Sequence, residues 1–182
     1  MPSSLTMYRA DMLPGNDIGN VIAETAFPDG RGSQLKLRLP SNGSLANKSF
    51  RVRAYGRVAT AITTSLTVQV YFGIDRTIAN NTLIFSTGAQ LVDTMKSNWE
   101  LWIDLSWDSD SKSINGRGAG QLANNIIGPQ TLLNVPLSAD PNRDSNTFLQ
   151  SGSTYGFTIT GLFANSDTGN HAYVDSLDLE GV

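Results

Sequence analysis

Apolar and polar residues alternate along most of this chain with a period of two. Phe50, Val52 and Ala54 interleave with Arg51, Arg53, Tyr55 and Arg57. Leu66, Val68, Val70 and Phe72 interleave with Thr67, Gln69 and Tyr71. Trp99, Leu101, Ile103, Leu105 and Trp107 interleave with Glu100, Trp102, Asp104 and Ser106. Phe157, Ile159, Tyr173, Leu177 and Leu179 continue the pattern near the C-terminal end. Successive side chains of a strand point to opposite faces, so each run predicts a strand with one apolar face. The strands expected are 21–27, 34–39, 49–59, 64–74, 82–87, 98–107, 112–121, 131–136, 154–164 and 171–180.

Turn signals punctuate these runs at Asp29-Gly30, Asn42-Gly43, Asn115-Gly116, Pro141-Asn142 and Ser166 to Asn170. The residues 88–97 are open to a helical turn. The stretches 123–130 and 138–147 read as long loops. Eight to ten strands with no convincing helix predict an all-β chain, an antiparallel β-sandwich of the jelly-roll kind. Residues 1–20 contain Pro2, Pro14, Gly15 and Gly19 and show no period. They are expected to form an extended N-terminal arm, free or laid on a neighbouring subunit, with 21–182 as the single sandwich domain. Deleting the arm is then expected to weaken assembly while leaving the sandwich folded.

With 182 residues, the chain is long enough to bury a substantial core. It has no cysteine and one histidine, which excludes disulfides, thiolate zinc sites, cysteine nucleophiles and multi-histidine metal centres. Charged residues make up 16% of the chain, and Ser, Thr, Asn and Gly take their place. That is a polar, uncharged exterior, common in chains partly covered by neighbours, and it argues against an enzyme. The N-terminus lacks the cationic and apolar regions of a signal peptide, and no apolar run approaches the ~20 residues of a membrane helix. Sequons at Asn42, Asn47 and Asn80 are read as chance.

The net charge of −3 conceals a segregation: residues 1–29 sum to −3, 30–74 to +7 and 75–182 to −7. A basic third invites a nucleic-acid reading. Basic and acidic strands lying beside one another, within a subunit or across a boundary, is preferred. No recognition helix, base-stacking motif or overall basicity supports the alternative.

Three constellations bear on chemistry. Gly116, Gly118 and Gly120 satisfy neither phosphate-loop motif. They share one parity and strip one strand face of side chains, leaving room that Trp99 or Trp107 is expected to fill. Asp108-Ser109-Asp110-Ser111 begins like a calcium loop but continues with Lys112 and Ile114, so a solvated turn is expected. His171 stands four residues before Asp175, but no Gly-x-Ser-x-Gly elbow accompanies them. No catalytic, metal or cofactor site is expected. Trp102 is the one large aromatic on the wrong parity for the core. With Tyr55 and Tyr71, also on polar faces, it offers either a subunit contact or a flat stacking platform for sugars, the contact being preferred.

The run Phe50 to Val58, the run 64–73 ending Tyr71-Phe72-Gly73, Asn98 to Leu101, Ile114 to Arg117, and Thr168 to Ala172 with Leu177 to Glu180 resemble a recurrent pattern of tailed-bacteriophage virion structural proteins. The resemblance spans about residues 35–180 and brings no catalytic residues with it. It implies a jelly-roll-like sandwich located on a virion and made in the host cytoplasm. The role implied is a non-enzymatic capsid decoration (cement) protein, or a head–tail component. As a decoration protein it would act as a homotrimer and bind the major capsid protein or other virion proteins, with no nucleic acid, membrane or cofactor. Many weak contacts would then stabilise a shell without chemistry. Arg51, Arg53, Tyr55, Arg57, Tyr71 and Trp102 are the interface candidates. The alternative is a carbohydrate-binding or host-recognition module on a tail or head component.

Overall fold

Alternation of period two becomes two antiparallel sheets packed face to face. The computed structural model describes residues 6–9, 17–30, 35–38, 49–73, 78, 81–94, 96–108, 113–136 and 156–181. Its strands are β1 (Thr6–Arg9), β2 (Asp17–Gly19), β3 (Thr25–Ala26), β4 (Lys36–Arg38), β5 (Ser49–Ala59), β6 (Thr64–Gly73), β7 (Thr82–Ser86), β8 (Gln90–Val92), β9 (Ser97–Asp108), β10 (Ser113–Leu122), β11 (Asn125–Pro136), β12 (Gly156–Phe163) and β13 (His171–Gly181). No α-helix occurs among the described residues, and the fold is an all-β sandwich. The first sheet runs β1-β13-β5-β9-β10-β11, with β2 also on β13. The second runs β3-β12-β6-β7, with β4 on β12 and β8 on β6.

The core lies between the sheets. Phe50, Val52, Ala54, Trp99, Leu101 and Ile103 face it from the first sheet; Leu66, Val68, Val70, Phe157, Ile159 and Phe163 face it from the second. At Gly56 and Gly118, among other glycines, another group occupies the space of a side chain. A Cβ on Gly56 would stand 2.0 Å from the Tyr173 carbonyl oxygen and 2.4 Å from the Trp99 ring. One on Gly118 would stand 2.2 Å from the ring of Phe85. Phe85 from the opposite sheet fills the space at Gly118, while Leu105 and Leu101 of β9 lie against Gly116 and Gly120; Trp99 lies over Gly56 instead. A partner on the preceding strand does cover Gly116 and Gly120, but it is leucine rather than tryptophan, and Gly118 is covered from across the core.

Other expectations change as well. Residues 123–130 are not a loop: β10 and β11 join through a two-residue turn at Ala123-Asn124, with Leu122 opposite Asn125 and Ala123 at φ 53°. Among the described residues of 88–97 no helical turn forms; Gln90–Val92 pairs with β6. The proposed loop 138–147 lies outside the described residues.

Within the segment expected as an arm, Thr6–Arg9 and Asp17–Gly19 both pair with β13. Ile18 is 2% exposed and would touch any side chain placed on Gly161, so it belongs to the core. Removing residues 1–20 takes that side chain away. The truncated chain is expected to lose about 2 kcal/mol or more of stability, the usual scale for a buried isoleucine. A urea titration checks this; an unchanged midpoint would return the segment to the role of an arm outside the fold.

Candidate functional site

The outward face of the first sheet carries five of the six residues singled out from the sequence, because β5 and β9 alternate in phase. Cross-strand register sets them in rows. Glu180, Arg51, Asp104 and Arg117 form one row across β13, β5, β9 and β10; Asp178, Arg53, Trp102 and Ala119 form the next; Ser176, Tyr55, Glu100 and Gln121 form the third. Arg57 follows, opposite Tyr173 and Asn98. Tyr71 is not among them. It projects from β6 on the outer face of the second sheet, on the far side of the sandwich, so the three aromatics do not form one platform.

The segregated charges meet on this face, between strands of one chain. Arg51 grips Asp104 with two bonds, Nε to Oδ1 at 2.6 Å and Nη2 to Oδ2 at 3.0 Å. Arg53 donates from Nε to Glu100 Oε1 at 2.7 Å and lies 4.0 Å from Glu180. A bulge between Val174 and Ser176 inserts Asp175 as the extra residue of β13, and Arg57 binds it with two bonds of 2.8 Å. The Arg57 guanidinium also lies over the Tyr173 ring, 5.0 Å from its centroid. The hydrogen bond to Asp104 raises the pKa of Arg51 against the opposing effect of burial, and the bond to Asp175 raises that of Arg57. Exposed pairs of this kind contribute about 0–1 kcal/mol each, so they order the face more than they stabilise the fold.

Two recesses open on the face. Arg51, Arg53, Glu100, Trp102 and Glu180 line one of about 240 Å³. Tyr55, Ser97, Asn98, Trp99, Glu100, Gln121, Ala123 and Asn124 line the other, of about 360 Å³. They meet at Glu100. Trp102 stands opposite small Ala119 on β10, and it lines the smaller recess.

The histidine is engaged elsewhere. His171 Nδ1 lies 2.9 Å from Asp17 Oδ2, while Asp175, the acid four residues on, is bound by Arg57. The sequence pairing of His171 with Asp175 is replaced because β2 adds to β13 and brings Asp17 alongside. No group of three or more His, Asp or Glu residues that could hold a metal converges among the described residues. The turn at Asp108-Ser109-Asp110-Ser111 lies largely outside them.

On the opposite sheet, Thr160 donates to Glu24 at 2.7 Å, and Tyr71 also hydrogen-bonds Glu24. Burial, with Glu24 close by, pushes the Tyr71 phenol up to about 12 from its ordinary 10.0. The folded chain therefore holds this proton more tightly than the unfolded chain. The associated stability is fully present below pH 10 and is lost as pH rises towards 12. Tyr71→Phe is expected to flatten the fall in urea midpoint across that window. An alkaline slope identical to that of the parent chain would show that other tyrosines carry the effect.

No family model matches this chain, and no curated protein matches it. Solved structures with a similar overall arrangement include the CBM2 module of the evolved Dit of Lactobacillus casei BL23 phage J-1. It is 11% identical, with 98% of this chain and 96% of that chain covered and a TM-score of 0.43. A conserved carbohydrate esterase from the Shiga toxin-encoding bacteriophage phi24B is 11% identical, with 98% and 99% covered and a TM-score of 0.35. The binding domain of botulinum neurotoxin DC, solved with rat synaptotagmin II, is 10% identical, with 98% and 43% covered and a TM-score of 0.32. At these identities and TM-scores the likenesses assign no function to this chain.

Proposed function

We propose that this chain is a non-enzymatic recognition module of a bacteriophage virion that binds carbohydrate through the outer face of its first sheet. The virion setting rests on the sequence resemblance. The ligand class rests on one observation: Trp102 and Tyr55 line recesses that meet at Glu100, amid cations already paired within the chain. A surface built to seat on a charged protein would leave those guanidinium groups for the partner, whereas a hydroxyl-rich ligand uses paired donors and acceptors as they stand. Screening the intact chain on a glycan array tests the reading; absence of binding to every glycan would sink it.

A second reading, a capsid decoration protein acting as a homotrimer on the major capsid protein, is favoured by a different observation. Leu91 and Ile126 are 57% and 84% exposed and lie near one another, where Asn125 Nδ2 donates to the Leu91 carbonyl. Apolar side chains exposed together suit contact with protein rather than with sugar. Mass spectrometry of purified particles and light scattering of the isolated chain test it. A monomer absent from virions would dismiss the decoration role, and absence from virions alone would remove the phage setting.

A further inference from the structure

We propose that the two recesses are adjacent subsites of one groove for an uncharged oligosaccharide, with Trp102 stacking on the ring in the first, Tyr55 bordering the ring in the second, and Glu100 accepting hydrogen bonds between them. This rests on the carbohydrate reading and adds its ligand class and polarity.

Three observations carry it. The first is continuity: Glu100 lines both recesses, and Tyr55 and Trp102 are diagonal neighbours across β5 and β9. Diagonal positions on one sheet face lie about 7–8 Å apart, within reach of two linked rings.

The second is charge. Arg51, Arg53, Glu100, Asp104 and Glu180 bring two cations and three anions, paired with one another within the chain, to the neighbourhood of the indole, and Arg117 stands beside Asp104 in the same row. An anionic sugar would compete with Asp104 and Glu100 for the guanidinium groups that hold them, and a cationic one would compete with Arg51 and Arg53 for the carboxylates. Neutral hydroxyls lose nothing on either count. Each both donates and accepts, so one hydroxyl can donate to Glu100 while another accepts from Arg53, and the ion pair stays intact.

The third is shape. Ala119, the register partner of Trp102, is small, and Trp102 lines the first recess, so an apolar ring face can lie against the indole there. In the second recess Asn98, Gln121 and Asn124 supply amides, which donate and accept without charge. The exposed apolar residues Ile22, Leu83, Leu91 and Ile126 line neither recess, which argues against a peptide as the occupant.

The test uses the full chain and a glycan array carrying neutral hexose, N-acetylhexosamine and deoxyhexose oligosaccharides beside sialylated and uronic-acid ones. Isothermal titration follows, with the strongest-binding disaccharide and its two constituent monosaccharides. Neutral glycans are expected to dominate, and the disaccharide to bind about tenfold or more tighter than either monosaccharide. Trp102→Ala is expected to weaken disaccharide binding about tenfold or more, Trp102→Phe by much less, and Tyr55→Ala to bring the disaccharide down to the affinity of one monosaccharide. Ile126→Ser is the control expected to bind as the parent does. Circular dichroism of each variant separates lost binding from lost fold, with Trp102→Phe as the conservative fallback. Glycan binding that survives both Trp102→Ala and Tyr55→Ala, or that is confined to anionic glycans, would overturn the groove and leave the broader reading standing. No glycan binding at all would overturn both.

Discussion

Gly56→Ala is expected to cost about 3 kcal/mol or more, at the upper end for overpacking, and to lower the melting temperature of this chain by roughly 6–12 °C. The added carbon would stand 2.0 Å from the Tyr173 carbonyl oxygen and 2.4 Å from the Trp99 indole. An indole can tilt; the carbonyl belongs to a strand paired on both sides, so relief requires β5 and β13 to part. The companion variant Trp99→Leu separates the two contacts. It removes the ring, along with an indole N–H that is buried without a partner, but leaves the carbonyl in place. Gly56→Ala placed in the Trp99→Leu background is therefore expected to recover only part of its loss. Gly128→Ala, whose Cβ meets nothing within 4 Å, is the control, expected to stay within about 0.5 kcal/mol of the parent. A Gly56→Ala chain melting with the parent would mean that the close approach of β5, β13 and Trp99 is not as described.

The same close approach explains what alternation could and could not reveal. Long strands with one face in the core were legible to within a residue or two: 49–59, 64–74 and 171–180 match β5, β6 and β13 because most buried positions there are apolar and alternate with polar ones, Thr64, Asp178 and Glu180 being the buried exceptions. The short strands β1, β2 and β8 were missed, since three or four residues hold too few alternations to register a period. The turn at Ala123-Asn124 hid for another reason. Two-residue hairpins are announced by Asn-Gly or Asp-Gly because those residues accept positive φ, and alanine at 53° gives no such signal. The chain after it therefore read as loop.

For the candidate site, parity alone placed Arg51, Arg53, Tyr55, Arg57 and Trp102 on polar faces, and pairing β5 with β9 was enough to bring them together. Parity could not say which sheet a strand joins, and so Tyr71 was grouped with residues that lie on the far side of the molecule. Nor could it identify Glu100 as the group common to both recesses. That follows from its position beside Tyr55 and one step from Trp102, a fact of register. The charge segregation was fully legible as a pattern; its resolution within one chain needed the strand order, which sets basic β5 between acidic β9 and β13.

Phe157→Ala is expected to be the more damaging substitution in the core, at about 3–5 kcal/mol for a buried phenylalanine. Phe157 is fully buried on β12 and touches two rings of different origin. Phe72 is its direct cross-strand partner in the second sheet, with centroids 5.0 Å apart, and Phe50 reaches it from the first sheet at 6.4 Å. Truncation therefore opens a void at the seam of the sandwich, where neither sheet can close it without moving as a layer. Double-mutant cycles with Phe72→Leu and Phe50→Leu divide the loss into a part within one sheet and a part between sheets. The closer ring spacing predicts the larger coupling for Phe72. Phe50 precedes Arg51 on β5, so this seam also supports the strand that carries the proposed groove. If support is all it provides, glycan affinity measured well below the melting temperature is expected to match the parent, and binding on warming to fall only with the folded fraction. A loss of affinity in the cold, with the sheet signal intact, would show instead that the rows on β5 and β9 depend on packing beneath them for their register.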